Sequence, residues 1–246
     1  MPRMPRKPLV VRQDRPDGNA AHVETLNREL YTVTEAARLL GVQASKLRRW
    51  LDGFTVGDRF YEPVIRPEPT GSNTVTWAEF VEAGFLNQYR TRKVSLQHMR
   101  PIIERMREEF GVPYPLAHFK PLVDSRSREL VLELQRQTHL DEELTLIRLR
   151  SGQLQWAPPV ASFLERVFFD DQGVIWQIRP LGKRSPVVID PEVSFGIPQV
   201  RGVRTETILE AYAIKGDVQQ VAGDWHLTVE EVQAALQWEA QLHIAA

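Results

Sequence analysis

The sequence contains no cysteine, which excludes disulfide bonds and thiolate-bound metal ions. It also contains no apolar run approaching the roughly 18 residues that a membrane-spanning helix needs. The N-terminus carries Arg3, Arg6 and Lys7, but the apolar segment at residues 9–11 is too short for the core of a secretory signal peptide. We therefore expect a cytoplasmic protein with no membrane partner.

Signatures of catalysis are equally scarce. The six histidines are scattered, and none stands in a His-Glu-x-x-His pattern or another metal-binding spacing. The segment 182–185 lacks the first glycine of a phosphate-binding loop, and Arg184 separates Lys183 from Ser185. Asp170 and Asp171 fall in a predicted turn, where aspartate is common. We expect no enzyme, metal or cofactor; a hydrolase would need a carboxylate or histidine cluster that the sequence does not show.

Charge is distributed unevenly along an otherwise ordinary composition. Hydrophobic residues make up 42% and charged residues 26% of the 246 residues, enough for a buried core. Residues 1–50 hold ten lysines and arginines against five acidic residues, whereas residues 185–246 hold three against nine. The asymmetry is consistent with different partners at the two ends, although uneven charge is also common on solvated faces.

A helix-turn-helix is predicted at residues 32–52. Apolar residues recur at helical spacing, Thr34 is a suitable N-cap for a helix over 35–40, and Gly41 would end it. Ser45 would cap a second helix that buries Leu47 and its apolar neighbours. The turn of about four residues has helix-turn-helix spacing. Before it, residues 1–24 are rich in proline, arginine, aspartate and glycine, and we interpret them as a flexible arm.

The second helix would present a polar, cationic face suited to guanine edges and phosphate oxygens. The predicted contact residues on this face are Ser45, Lys46, Arg48 and Arg49. A plain helical hairpin with a solvated basic face is the alternative interpretation. Residues 60–76, with turn-forming residues at 70–73, predict a hairpin that resembles a wing, from which Arg66 and Asn73 would also contact DNA. Helices are predicted to follow, one capped by Thr76 and one by Ser95 and ended by Gly111.

The middle of the chain predicts a small antiparallel sheet with a short helix near residues 159–166. The predicted strands lie at residues 130–134, 144–149, 153–156, 167–169 and 174–178. From Thr205 the helical period returns, and Thr228 and Glu231 form a capping box that opens the last helix. The exposed residues of that helix would be Glu230, Glu231 and Gln233. Its carboxylates would repel phosphate, so we expect this unit to bind a protein or pair two subunits.

Two stretches resemble known families. Residues 32–110, with Thr34-Glu-Ala-Ala-Arg-Leu-Leu-Gly-Val and Lys46-Leu-Arg-Arg-Trp, resemble the MerR-like winged helix-turn-helix. Residues 187–242, with Val188-Ile-Asp-Pro, Phe195-Gly-Ile-Pro and Leu227-Thr-Val-Glu-Glu, resemble a domain of VapB-type antitoxins. The resemblance implies a type II antitoxin that neutralises a VapC-type toxin, a PIN-domain ribonuclease. It also implies repression of its own operon by binding operator DNA, usually as a homodimer.

These observations predict an α+β protein in three parts after the arm. Residues 25–110 form a winged helix-turn-helix that binds DNA, residues 111–185 a small antiparallel sheet module, and residues 186–246 a three-helix module that packs on a partner. The alternative function is a ligand-sensing transcriptional regulator with no toxin partner, in which the middle sheet would bind a small molecule.

Overall fold

The computed structural model describes residues 24–89, 99–118, 131–132, 135–137, 145–150, 153–170 and 173–245. The N-terminal half contains β1 (Glu29–Thr32), α1 (Val33–Leu40), α2 (Ala44–Asp52), β2 (Phe54–Val56), β3 (Arg59–Tyr61), β4 (Thr74–Thr76), α3 (Trp77–Asn87) and α4 (Arg100–Phe110). The remainder contains β5 (Ile147–Arg150), β6 (Gln153–Trp156), α5 (Pro158–Leu164), β7 (Val167–Phe169), β8 (Ile175–Ile178), β9 (Gln199–Val200), β10 (Val203–Arg204), α6 (Thr205–Lys215), α7 (Val218–Asp224) and α8 (Val229–Ala245). The predicted arm, apart from Glu24, and the predicted cap Ser95 lie outside the described residues.

The predicted helix-turn-helix is present, with both N-caps two residues earlier than predicted. The N-cap of α1 is Thr32, whose hydroxyl accepts from the backbone N–H of Glu35 while the Glu35 carboxylate accepts from the Thr32 N–H. Thr34 therefore lies inside α1, and its prediction as the cap is wrong. Gly41 ends α1 with a φ of 64°, a left-handed conformation that glycine adopts without strain. Ser45 also lies inside its helix, because α2 begins after Gln43.

The wing is not the hairpin predicted at residues 60–76. Strands β2 and β3 pair antiparallel around a turn at Gly57 and Asp58 and form a short wing directly after α2. Strand β4 pairs instead with β1, at the other end of the helix-turn-helix. The turn residues at 70–73 were recognisable, but a turn pattern does not specify which strand the following segment joins.

Helix α3 lies at the centre of the molecule. It begins at Thr76 as predicted, with a capping box to Glu79, and every residue from 77 to 86 is buried. The indole Nε1 of Trp77 donates to the carbonyl of Ile175 at 2.7 Å, and the ring of Phe85 meets that of Phe163 edge-on at 5.3 Å. The middle of the chain therefore packs directly on this helix.

The middle segment forms paired hairpins. Strands β5–β6 and β7–β8 are antiparallel pairs, and α5 lies between them, as predicted. Every sheet within the described ranges has two strands, so these hairpins do not merge into one sheet. The strand predicted at residues 130–134 is wrong, because Val131 and Leu132 are helical. A short apolar run fits a buried helix as well as a strand.

The C-terminal segment supplies the β9–β10 hairpin and the predicted three helices. The capping box at the start of α8 is confirmed: the Glu231 carboxylate accepts from the Thr228 N–H at 2.8 Å. Tyr31, on β1, donates its hydroxyl to the Gly196 carbonyl at 2.6 Å. Buried side chains from Leu26 to Leu242 belong to one core cluster. The architecture is the predicted α+β fold, in which the N-terminal and C-terminal segments share a core.

Candidate nucleic-acid interface

Helix α2 has one buried and one exposed face. Leu47, Trp50 and Leu51 pack into the core. The opposite face exposes Ser45, Lys46, Arg48 and Arg49. The structure thus places the four residues predicted on this helix together at the surface, with the first two in its first turn. The side chains of this face can donate hydrogen bonds to DNA phosphate oxygens and to guanine edges.

Neighbouring side chains hold the cations of this face in defined positions. The Arg48 Nη2 donates to Asn73 Oδ1 at 3.0 Å, which places the predicted contact Asn73 beside the helix. The Arg49 guanidinium lies over the ring of Phe54 at 5.3 Å. The Lys46 ammonium lies 5.7 Å from the ring of Trp50. Stacked and hydrogen-bonded cations lose less side-chain entropy when they engage a phosphate.

The wing adds a cation that the sequence analysis did not identify. The rings of Phe54 and Tyr61 stack across β2 and β3 at 4.9 Å, and Arg59 lies over Tyr61 at 4.9 Å. Phe60 and Val56 expose 45% and 59% of their surface. The Gly57-Asp58 dipeptide between Val56 and Arg59 was the available signal, because it is a favoured two-residue hairpin turn.

The surface formed by α2 and the wing is positively charged. Residues 44–61 contain four lysines and arginines and two aspartates. Asp52 faces inward, where its carboxylate accepts from Arg66 at 2.7 Å and from two backbone N–H groups at 3.0 Å. Asp58, at the tip of the wing, is thus the acidic residue of this segment that faces solvent. The cations are not balanced locally, and the surface attracts an anionic polymer.

The prediction that Arg66 contacts DNA is wrong, because Arg66 is only 2% exposed. Its guanidinium donates to the carboxylates of Glu79 and Asp52, each at 2.7 Å, and to the backbone carbonyl of Thr74 at 2.7 Å. A buried arginine with all its donors engaged has none to offer a ligand. Its ion pairs with Asp52 and Glu79 instead link the end of α2 to the start of α3.

The pKa values of Asp52 and Arg66 both favour the charged forms of these side chains. Burial raises the pKa of Asp52, but hydrogen bonds from Arg66, Gly71 and Thr70 outweigh burial and leave the pKa below its usual value. Burial lowers the pKa of Arg66, and the carboxylates of Glu79 and Asp52 more than restore it. The Arg66–Asp52 ion pair therefore persists near neutral pH, and acid weakens it when the Asp52 carboxylate becomes protonated.

A second buried carboxyl, Glu82, lies one turn further along α3. Its Oε1 accepts from the Leu116 N–H at 2.9 Å, while its Oε2 is buried with no hydrogen-bond partner among the described residues. Burial raises the pKa of Glu82 to about 8; nearby Arg107 and the Leu116 N–H oppose the shift, and Glu79 adds to it. Near neutral pH this carboxyl is therefore mainly protonated in the folded protein.

We expect the free energy of unfolding to decrease as the pH rises from about 4.5 to about 8 on account of Glu82. Across that interval the folded state binds a proton that the unfolded state has released, so raising the pH favours unfolding. The Glu82→Gln variant should lose this slope and be more stable than the parent at pH 8. Urea unfolding of both proteins at several pH values measures the slope and the difference in stability. The exposed Glu109→Gln variant is the control; an unchanged slope in Glu82→Gln contradicts the assignment.

The predicted partner-binding residues lie at the start of α8. Glu230 and Gln233 are exposed, whereas Glu231 is partly buried. Glu231 caps the helix with Thr228 and lies 3.8 Å from Arg201. Part of this acidic group therefore stabilises the helix, which leaves Glu230 and Gln233 as the more accessible positions.

The described ranges contain no group of three or more histidine, aspartate and glutamate side chains placed to hold a metal ion. Among the same residues, no helix is long and apolar enough to cross a membrane.

Known proteins match this chain in its N-terminal segment and along most of its length. A family model described as "Putative DNA-binding HTH domain" matches residues 29–103. The Mycobacterium tuberculosis protein named "Uncharacterized protein Rv2308" is 31% identical over 231 residues, covering 89% of this chain and 94% of that protein. "Putative antitoxin VapB45" of the same organism is 29% identical over 222 residues, covering 84% and 92%.

A solved structure has the same fold. The crystal structure of Rv2018 from Mycobacterium tuberculosis superposes with a TM-score of 0.69 at 28% identity, covering 86% of this chain and 99% of that one. The family match spans β1 through the start of α4 and includes the cationic face of α2 and the wing. The chain therefore carries a helix-turn-helix DNA-binding domain.

Proposed function

This chain belongs to the same family as the Mycobacterium tuberculosis protein Rv2308, and we propose that it is an antitoxin that also represses its own operon. It would neutralise a VapC-type toxin, a PIN-domain ribonuclease, in the cytoplasm. The observation that carries the DNA-binding part is the exposed cationic face of α2 inside a matched helix-turn-helix domain. The name of the VapB45 relative supports the antitoxin part.

In this proposal α2 is the recognition helix of a MerR-like winged domain. The first turn of a recognition helix reaches base edges, so Ser45 and Lys46 would read sequence in the major groove. Arg48, oriented by Asn73, and Arg49 lie further along the helix and would contact guanine or phosphate. Arg59 on the wing would contact the backbone beside the groove. A homodimer would place two such units on a palindromic operator.

Arg48→Ala and Arg49→Ala are each expected to weaken binding to a duplex from upstream of the gene by about 5- to 100-fold, the range for one lost base or phosphate contact. A lost phosphate contact also lowers the salt dependence, by about one in the log–log slope. Gel-shift titrations at several salt concentrations measure both quantities. Arg105→Ala, an exposed arginine on α4, is the matched control. Affinity equal to the parent in both variants would show that α2 is not the recognition helix.

The toxin would bind the C-terminal module. Residues 185–246 carry nine acidic residues against three basic ones, so they would steer a partner with a positively charged surface. Glu230 and Gln233 lie exposed on one side of α8 and are the first positions we assign to this contact. Glu231 would contribute mainly by holding the helix start.

The toxin assignment predicts co-purification with the product of the neighbouring gene. The double variant Glu230→Lys and Gln233→Lys should lose at least about tenfold in affinity for it, because two positive charges placed at a contact with a positively charged partner repel it. Glu210→Lys, an exposed position on α6, serves as the control. A neighbouring gene that encodes no small nuclease, or a product that does not bind, would rule out the antitoxin function and leave DNA binding intact.

The second candidate function is a ligand-sensing transcriptional regulator without a toxin. The observation in its favour is a cavity behind the helix-turn-helix, lined by residues from the N-terminal, middle and C-terminal segments. Saturable binding of a small molecule together with the absence of a toxin neighbour would favour this function.

A further inference from the structure

The loop at residues 179–185, which follows β8, carries a second group of cations. Lys183 and Arg184 are exposed on this loop, and Arg166 is exposed beside it, between α5 and β7. The backbone N–H of Arg179 donates to the Arg166 carbonyl at 2.7 Å, so the start of the loop and Arg166 are neighbours. Arg166, Lys183 and Arg184 are referred to as the loop cations.

Side-chain and backbone hydrogen bonds hold this loop in a defined conformation. The Arg179 Nη1 donates to the carbonyls of Lys183 at 3.0 Å and Ser185 at 3.2 Å, and the same guanidinium lies over the ring of Phe168 at 5.1 Å. Gly182 turns the chain with a φ of 100°, and its N–H donates to the Arg179 carbonyl at 2.9 Å. A loop that is ordered before binding loses less entropy when a partner binds to it.

The loop cations are not neutralised by their neighbours. The side chains of Arg166, Lys183 and Arg184 make no hydrogen bond or ion pair with another residue in the described ranges. Glu165 lies beside Lys183 and Arg184 on a shallow depression and is the acidic residue of its described lining. Three cations thus stand against one carboxylate, and such a surface attracts an anionic polymer.

The position of the loop cations points to DNA as that polymer. Arg166 and Pro180 line the same cavity as Gly41, which lies in the turn between α1 and α2. Gln43, two residues later, is the N-cap of α2, and the first turn of a recognition helix is the part that reaches base edges. Among the described residues that line this cavity, Arg166 is the one charged side chain. No carboxylate on this wall therefore separates the loop from the start of α2.

We propose that the loop cations form a second DNA contact, which binds the phosphate backbone beside the major groove that α2 enters. The groove is about 12 Å wide, so cations next to the start of a helix within it lie close to the backbone at its edge. Phosphate contacts position a protein on the duplex and carry no sequence information. The inference rests on the proposed DNA-binding function and extends the DNA surface to the middle of the chain.

The double variant Lys183→Ala, Arg184→Ala tests this contact in the full chain. Both side chains are exposed, so the variant should keep the circular dichroism spectrum and the urea midpoint of the parent. Its affinity for the upstream duplex should fall at least about fivefold. The log–log salt slope should decrease by about two, because each phosphate contact contributes about one. Gel-shift titrations at several salt concentrations measure both quantities, and a duplex of unrelated sequence should show the same relative loss.

The matched control is the double variant Arg105→Ala, Lys215→Ala. It removes the same net charge from α4 and α6, where each cation is already paired with a carboxylate. We expect it to bind DNA like the parent. Equal losses in the two double variants would reveal a general effect of net charge and overturn the proposal, as would parental affinity in Lys183→Ala, Arg184→Ala.

A change of opposite sign gives an independent test. Glu165→Gln removes the carboxylate beside the loop cations, so it should strengthen DNA binding at least about twofold. Hydroxyl-radical footprinting locates the contact: the Lys183→Ala, Arg184→Ala variant should lose protection at the edge of the footprint and keep it in the groove that α2 occupies. A footprint of parental extent in that variant overturns the assignment.

The outcomes separate failure of this proposal from failure of the proposed function. If the parent binds neither duplex, the DNA-binding function fails and the loop contact fails with it. If Arg48→Ala weakens binding while the loop variant matches the parent, α2 remains the recognition helix and the loop contact alone is refuted. If the loop variant alters the preference for one duplex over the other, the loop cations contact bases, and the assignment to phosphates is overturned.

Discussion

Replacement of Arg66 by methionine is expected to lower the free energy of unfolding by about 3–5 kcal/mol, the cost of removing one partner from a buried ion pair. The loss leaves the Asp52 and Glu79 carboxylates facing each other without the guanidinium that lies 2.7 Å from each. It also removes a hydrogen bond to the Thr74 carbonyl at 2.7 Å. Urea unfolding monitored by circular dichroism measures the change. Because such a loss is a large part of a typical folding free energy, the variant should be assayed in the cold.

The control for this prediction is Arg105→Met. Arg105 is half exposed and pairs with the exposed Glu108 within α4, and an exposed pair contributes at most about 1 kcal/mol. The two variants also separate the structural and DNA-contact interpretations of Arg66. Parental stability combined with lost DNA binding in Arg66→Met would restore the sequence-based interpretation.

Gly53→Ala should displace the wing. Gly53 joins α2 to β2 with φ 76° and ψ −169°, a conformation nearly confined to glycine, and a non-glycine residue there costs about 1–3 kcal/mol in backbone strain. An added Cβ would also collide with the Tyr61 carbonyl oxygen and lie 2.8 Å from the ring of Phe60. We expect a lower unfolding midpoint in urea and weaker binding to the upstream duplex in gel-shift titrations.

Gly57→Ala is the matched control within the same wing. Gly57 also has a positive φ, 59°, but a Cβ there would meet nothing within 4 Å. That conformation is the ordinary left-handed one and costs about 1–2 kcal/mol for alanine. Equal effects of the two substitutions on stability and DNA binding would show that the collision at Gly53 is relieved without moving the wing.

The helix-turn-helix was predictable because its signals are local. Apolar spacing in α1 and α2 determines which residues face the core, and a glycine ends the first helix where the chain must turn. The exposed positions of α2 then follow from its buried ones. The same reasoning identified the capping box at Thr228 and Glu231, because both residues of that box lie within one turn.

Features set by distant contacts were not predictable from the sequence. Arg66 looks like a surface cation in a loop, and only the folded chain brings Asp52 and Glu79 to it. Strand β4 follows a good turn, yet its partner β1 lies more than forty residues earlier. The cavity is lined by residues from the end of α1 and from α8. These elements are far apart in the sequence, so no local sequence pattern indicates the cavity.

The burial of α3 on every side has a consequence for the independence of the DNA-binding half. Trp77 and Phe85, which belong to that half, are covered by Ile175 and Phe163 from the middle of the chain. A proteolytic cut that released the segment after residue 110 would expose the aromatic rings of Trp77 and Phe85 to solvent. It would also remove the contacts that pack α3 behind the helix-turn-helix. We therefore expect the helix-turn-helix domain to depend on the middle of the chain for its stability, so that a single proteolytic cut between them would also weaken DNA binding.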